Sequence, residues 1–196
     1  MNIIGSDESL KGDSFGGITV AAVRADPEIS KVLESMGVKD SKKLTDHKIM
    51  ILAQKIKEVA KVYFINLYPE QYNRRVLAVG LTNLLNDLHT ECINALRSGF
   101  DKVIVDEYPG CKIKNATPVQ KAEDQYVEVA AASIIARYEA IKQIKELSIL
   151  AGFPLPKGST HVTEALIKLR NLKKPFDKFT KISFKNVKFI METRSP

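Results

Sequence analysis

Cysteine is almost missing from this chain: in 196 residues only Cys92 and Cys111 occur, and neither belongs to a CxxC or Cys/His cluster. That excludes a disulfide framework, argues against a structural zinc site, and points to an intracellular, cytoplasmic protein. Long apolar runs are missing as well. None approaches the roughly 18 residues of a membrane helix, so no membrane association is expected. The N-terminus enters an apparent core strand directly, without the pattern of a secretory signal. Internal repeats, low-complexity segments and linkers are also lacking, which leaves a single domain over residues 1–196. The three histidines, His47, His89 and His161, are scattered, and nothing in their spacing pairs one with a nucleophile.

What is present is an ordinary globular balance, 44% hydrophobic and 27% charged residues, with room for a full core. The net charge of +7 favours a polyanionic partner. Much of it gathers near the end, at Lys168, Arg170, Lys173, Lys174, Lys178, Lys181, Lys185 and Lys188, with Phe176, Phe179 and Phe184 interleaved. Residues from about 160 to 196 therefore read as a helical, basic C-terminal extension.

The chain opens on Ile3-Ile4-Gly5-Ser6, two adjacent acids Asp7 and Glu8, a small-residue turn carrying Lys11, and the apolar run Ile18 to Val23. Strand, turn, strand is the natural reading. Side chains alternate faces along a strand, so at most one of the two acids is expected to face inward. A helix is expected over Pro27 to Met36, capped by Asp26 and stopped by Gly37, and another opens at Thr45 or Asp46. Val62 to Tyr68 reads as a strand ended by Pro69. A helix from about Leu81 to Arg97 follows, then a buried strand from Lys102 to Val105 that delivers Asp106 and Glu107. Helices from about Gln125 to Leu150 and Thr163 to Leu172 complete the pattern. An early hairpin followed by alternating strands and helices implies an α/β fold, a mixed sheet covered by helices.

Three acidic stations recur at element junctions: Asp7/Glu8, Asp106 and Glu123. Open α/β sheets collect functional groups at strand carboxyl ends, where these acids could meet. Convergent carboxylates without His or Cys suit magnesium or manganese. Two such ions about 4 Å apart would support in-line attack of water on a phosphodiester, with no side-chain nucleophile needed. Each station also has a plain structural reading. Asp7/Glu8 can be a solvated pair, Asp106 a turn former, and Glu123 with Asp124 a favourable charge at a helix N-terminus. The Asp40-Ser41-Lys42-Lys43 loop can approach a phosphate or simply cap a helix.

The motifs taken together resemble a known family. Gly5-Ser6-Asp7-Glu8, Lys11-Gly12-Asp13, Phe15-Gly16 and Gly37 to Leu44 resemble the type 2 ribonucleases H, most closely ribonuclease HIII. Val105-Asp106, Lys121-Ala122-Glu123, Val129 to Tyr138, Leu155 to Gly158 and Phe179 to Phe184 match in order. The resemblance implies an RNase H-like fold and hydrolysis of the RNA strand of RNA–DNA hybrids by two metal ions, leaving 5′-phosphate and 3′-hydroxyl ends. It implies Asp7, Glu8, Asp106 and Glu123 as catalytic and metal-binding residues, with Asp124 as the alternative for the fourth place. Ser9, Leu10, Lys11 and Gly12 stand at the turn that reads the ribose 2′-hydroxyl. Leu10 replaces a glycine there and brings a Cβ to a position where positive φ is expected. Ser41, Lys42 and Lys43 would line the phosphate path. Ribonuclease HIII usually also has an N-terminal domain resembling the TATA-binding protein. This chain starts at the catalytic domain, and Lys173, Lys174, Lys178 and Lys181 are expected to supply part of the missing affinity. The expected protein is a monomer. Two rival activities are incision at single ribonucleotides embedded in DNA, as in ribonuclease HII, and hybrid binding without catalysis.

Overall fold

The computed structural model describes residues 1–39, 41 and 44–193. Its first strand, β1, spans Ile3–Ser9 and pairs antiparallel with β2, Ile18–Ala25. Helices α1 (Pro27–Ser35) and α2 (Asp46–Val59) follow. Both start where a side chain can satisfy an otherwise free N–H. Asp26 accepts from the amides of Glu28 and Ile29, and Thr45 accepts from Lys48. Next come β3 (Lys61–Leu67), α3 (Pro69–Val79), α4 (Leu81–Leu96), β4 (Lys102–Asp106) and β5 (Thr117–Val119). A short 3₁₀ turn at Ala122–Asp124 leads to α5 (Val127–Ala151), and α6 (Thr163–Asn171) and α7 (Lys185–Glu192) end the described chain. The sheet order is β3-β2-β1-β4-β5, with β1 parallel to β4 and β4 parallel to β5. This is the mixed sheet with flanking helices that the sequence pattern implies. No helix among the described residues is long and apolar enough to cross a membrane.

Three elements differ from the sequence reading. Pro69 does not only end a strand; it is the first residue of α3, where its fixed φ and missing N–H cost nothing. Strand β5 carries Pro118, which is tolerated because β5 lies at the sheet edge. The C-terminal stretch continues past the helix expected at Thr163 to Leu172 into a further helix, α7, which buries Val187 and Ile190.

The chain forms two compact units, each assembled from separate segments. The first comprises Met1–Ser9, Thr19–Ile65 and Gly80–Glu139; the second comprises Leu10–Ile18, Asn66–Val79 and Ala140–Pro196. In the first unit, β1 is covered on both faces. Gly5 faces the start of α5 so closely that a Cβ would lie 2.3 Å from the Glu128 carbonyl carbon and the Val129 nitrogen. The opposite face of β1 meets α4, whose Leu85, Leu88, His89 and Cys92 are buried. In the second unit, the far half of α5 packs Ile144 and Leu147 with Leu166 and Leu169 of α6, Val187 of α7, and Leu10, Phe15 and Phe179.

Candidate active site

The parallel pairing of β1 with β4 aligns Ser6 with Val105. The next residue on each strand is an aspartate, so Asp7 and Asp106 reach the same carboxyl edge of the sheet. Asp106 is anchored there by the Ala122 N–H, 2.9 Å from its Oδ1. That bond also ties the β4 end to the turn carrying Glu123. Lys121 enters the turn with φ +51°, and Glu123 is buried while Asp124 is exposed. Of the two candidates for the fourth acid, Glu123 is therefore the one turned inward.

Ser133, on the α5 face above these acids, joins them. Its hydroxyl bonds to Asp7, lies 3.3 Å from Glu123 Oε2 and 2.8 Å from the Ser41 hydroxyl. A serine has one proton to donate, so it cannot serve both carboxylates at once. Asp7 receives one more bond, from the Glu8 N–H at 2.7 Å. Burial, then the neighbouring Glu8 charge, push the Asp7 carboxyl well above the usual carboxylate range, and Asp106 adds to the effect. The bonds from Ser133 and the Glu8 amide act in the opposite direction without cancelling it.

Glu8 corrects the expectation that one of the adjacent acids would be solvated. Its side chain is 7% exposed, and Asp7 is 6% exposed. Strand alternation does send them to opposite faces, but both faces are covered. Asp7 meets α5, while Glu8 meets His89 of α4, whose Nε2 lies 3.3 Å from Glu8 Oε2. The other ring nitrogen lies 2.7 Å from the Ser6 hydroxyl, which donates to the Ala21 carbonyl at 2.8 Å. Ser6 thus uses its proton on the backbone and accepts from Nδ1–H of His89. Stacking on Tyr108, with ring centroids 5.2 Å apart, fixes the imidazole further.

His89, Ser6 and Ser133 were not identified as site residues from sequence. The signal for His89 was available, since it lies four residues after Leu85 and four before Ile93 on the apolar stripe of α4. Ser41, expected on a phosphate path, is buried against Ser133, and Arg137 donates to its carbonyl. Lys42 and Lys43 lie outside the described residues.

The donors at this edge are all hard oxygens, which suits a divalent cation of the magnesium or manganese type. Burial and the neighbouring Glu8 and Asp106 charges disfavour the ionised Asp7 carboxylate, and that too fits a cation. Among the described residues no three potential ligands already converge as a ready-made cage.

The remaining residues predicted to bind substrate divide. Leu10 has φ +69°, the conformation expected of a glycine, and its side chain is 8% exposed in the apolar core. Left-handed backbone costs a non-glycine residue about 1–2 kcal/mol, whereas burying a leucine side chain yields about 1.5–3 kcal/mol. Burial therefore outweighs the strain, and Leu10 is compatible with the turn. Ser9 and Lys11 are half-buried, and Gly12 is exposed. Lys173 and Lys178 are exposed, and Lys174 is half-buried with its ammonium 3.0 Å from the Leu150 carbonyl. Lys181 corrects the sequence reading. It is fully buried, and its ammonium donates to the carbonyls of Asp13 and Gly16 at 2.6 and 3.2 Å. A group so enclosed is not part of a basic surface.

Comparison with known proteins adds a family. The ribonuclease HII family model matches residues 4–187. A ribonuclease HIII of Bacillus cereus (strain AH187) is 34% identical over 208 residues, covering 95% of this chain and 67% of that protein. A ribonuclease HIII of Lactococcus lactis subsp. cremoris is 34% identical over 182 residues, covering 83% of this chain and 62% of the relative. The chain thus spans about two thirds of the length of these curated relatives. Among solved structures, Bst-RNase HIII in complex with Mn²⁺ superposes with a TM-score of 0.86 at 32% identity, over 97% of this chain and 69% of that one.

Proposed function

Since this chain belongs to the ribonuclease HII family, we propose that it is a divalent-metal-dependent endoribonuclease that hydrolyses the RNA strand of RNA–DNA hybrids. The products would carry 5′-phosphate and 3′-hydroxyl ends. The observation that carries this reading is the strand-end acid group. Asp7, Asp106 and Glu123 gather at one edge, where burial and the neighbouring Glu8 and Asp106 charges push the Asp7 carboxyl well above the usual carboxylate range. The Mn²⁺ complex of Bst-RNase HIII supports a divalent cation.

Asp7, Glu8, Asp106 and Glu123 are the residues that would hold magnesium or manganese, as two ions. The metal supplies Lewis-acid polarisation and charge neutralisation at the scissile phosphate. The chain's own part is positional. Ser133 stands between Asp7 and Glu123 as a donor for either, the Ala122 amide holds Asp106, and His89 packs beside Glu8. The Ser9–Gly12 turn follows β1 directly and presents backbone groups suited to reading a ribose 2′-hydroxyl. Lys11, Lys42, Lys43, Lys173, Lys174 and Lys178 add sequence-independent affinity for the phosphate backbone. Residues 1–196 are read as one catalytic domain, with 160–196 as its substrate-binding extension, working as a cytoplasmic monomer.

A second reading, incision at single ribonucleotides embedded in DNA, is favoured by the ribonuclease HII model itself. End-labelled hybrid, embedded-ribonucleotide and RNA duplexes, incubated with magnesium or manganese, separate the two. Cleavage within the all-RNA strand is expected. Incision confined to the embedded-ribonucleotide duplex would select the alternative. Binding of hybrid with no cleavage of any substrate would leave a noncatalytic protein.

A further inference from the structure

The backbone that follows the acids is held by residues from the other end of the chain. Ser14 donates to the Gly158 carbonyl at 2.9 Å, Gly16 donates to Phe179 at 3.0 Å, and the Lys181 amide donates to Ser14 at 3.0 Å. The Gly158 amide in turn donates to the Asp13 carboxylate at 2.6 Å. Asn186 bridges the Ser14 hydroxyl and the Ser159 carbonyl, both at 2.8 Å. The centre of this set is the Lys181 ammonium, on the carbonyls of Asp13 and Gly16 and facing the rings of Tyr72 and Phe184 at 5.2 and 5.4 Å. A fully buried lysine is rare unless it is paired. Here the pairing is with backbone oxygens, in a shell that leaves no opening for a phosphate.

We propose that Lys181 is a positioning residue: it fixes the Leu10–Gly17 turn, with support from Asn186, and so sets the enzyme's preference for RNA-containing duplex. The inference rests on the proposed role of the Ser9–Gly12 turn in reading the 2′-hydroxyl. Two carbonyls three residues apart converge on one ammonium, and this fixes the relative orientation of their peptide planes. Asp13 also closes the turn through its amide, 3.1 Å from the Leu10 carbonyl. Lys181 therefore acts one hydrogen bond away from the residue whose left-handed backbone shapes the turn. A basic side chain in the C-terminal stretch thus serves recognition through geometry, without adding charge to the surface.

The test compares the full chain with Lys181→Met and Asn186→Ala, each kept below its own melting temperature. Binding to an RNA–DNA hybrid and to the same-sequence DNA duplex is measured over a range of salt, in calcium. Amide hydrogen exchange of residues 10–17 is followed in parallel. Lys181→Met should lose the hybrid-over-DNA preference by about tenfold or more, as expected when a positioned group is misplaced. Its salt slope should stay unchanged, and its turn amides should exchange faster. Asn186→Ala should shift both readouts in the same sense by less, and it carries the test if Lys181→Met does not fold. A salt slope that falls by about 0.9 with the preference intact would make Lys181 a phosphate contact and overturn the proposal. Unchanged turn exchange in the folded variants would overturn it as well. A wild-type chain with no hybrid preference would sink the functional reading instead, and amide exchange alone would then decide whether Lys181 holds the turn.

Discussion

Two buried charges, one in each unit, are handled in opposite ways. Lys181 is enclosed by two carbonyls and two aromatic rings, so the protein itself supplies hydrogen-bond partners in place of part of the water the ammonium lost. Asp7 is equally enclosed but has Glu8 and Asp106 as electrostatic neighbours, and it shares the single Ser133 proton with Glu123. A buried charge whose partners are all internal holds a backbone in place. A buried charge crowded by others of its own sign is a place for a ligand of opposite sign.

The largest effect should come from breaking up that acid group. Asp7→Asn or Asp106→Asn should cut metal-dependent cleavage by about 1,000-fold or more, the equivalent of the several kcal/mol a metal contributes. If neither change abolishes cleavage, the proposed mechanism is wrong. In the metal-free protein Asp7→Asn should raise the melting temperature, because it relieves repulsion against Glu8 and Asp106. A fall in melting temperature would show that the acids are not in conflict and would break the contrast with Lys181.

Lys181→Met should destabilise the protein by about 2–4 kcal/mol in denaturant unfolding, since it leaves the Asp13 and Gly16 carbonyls without their donor. A neutral result would mean that burying the ammonium costs as much as its bonds return. A smaller effect should follow pH. Burial lowers the Lys181 ammonium from 10.5 to about 7, with Asp13 opposing. Between those values the unfolded chain keeps a proton that the folded chain has shed, so stability should rise as pH climbs from about 7 toward 10.5. Melting curves across that window should show the rise in the wild type and lack it in Lys181→Met. The smallest effect belongs to the surface. Neutralising exposed Lys173 and Lys178 should reduce the salt slope of hybrid binding by up to about 0.9 each, with little change in stability.

Much of this was legible in the sequence because the signals were local. Asp26 and Thr45 capped the helices they were expected to cap, the stripe of α4 was readable from its spacing, and the ordered motifs pointed to the family. The acids were legible as residues at strand ends. Their state was not: that both Asp7 and Glu8 are buried depends on α4 and α5 covering both faces of β1, which no local pattern reports. His89 was passed over because its partners, Ser6 and Glu8, lie more than 80 positions away. Lys181 was misread for the converse reason. Its neighbours in sequence are basic and aromatic, as on a nucleic-acid surface, while its neighbours in space are the carbonyls of residues 13 and 16.

By itself, then, the sequence determined the periodicities, the caps, most of the strands and helices, and the family. These follow from residues within a few positions of one another, where propensity and alternation act. Tertiary structure decided the rest: that Glu123 and not Asp124 turns inward, that Leu10 accepts a left-handed backbone, and that Lys181 holds a turn at the opposite end of the chain. Each of these outcomes balances burial against strain or charge, and the balance is struck only when distant segments exclude water from the same place.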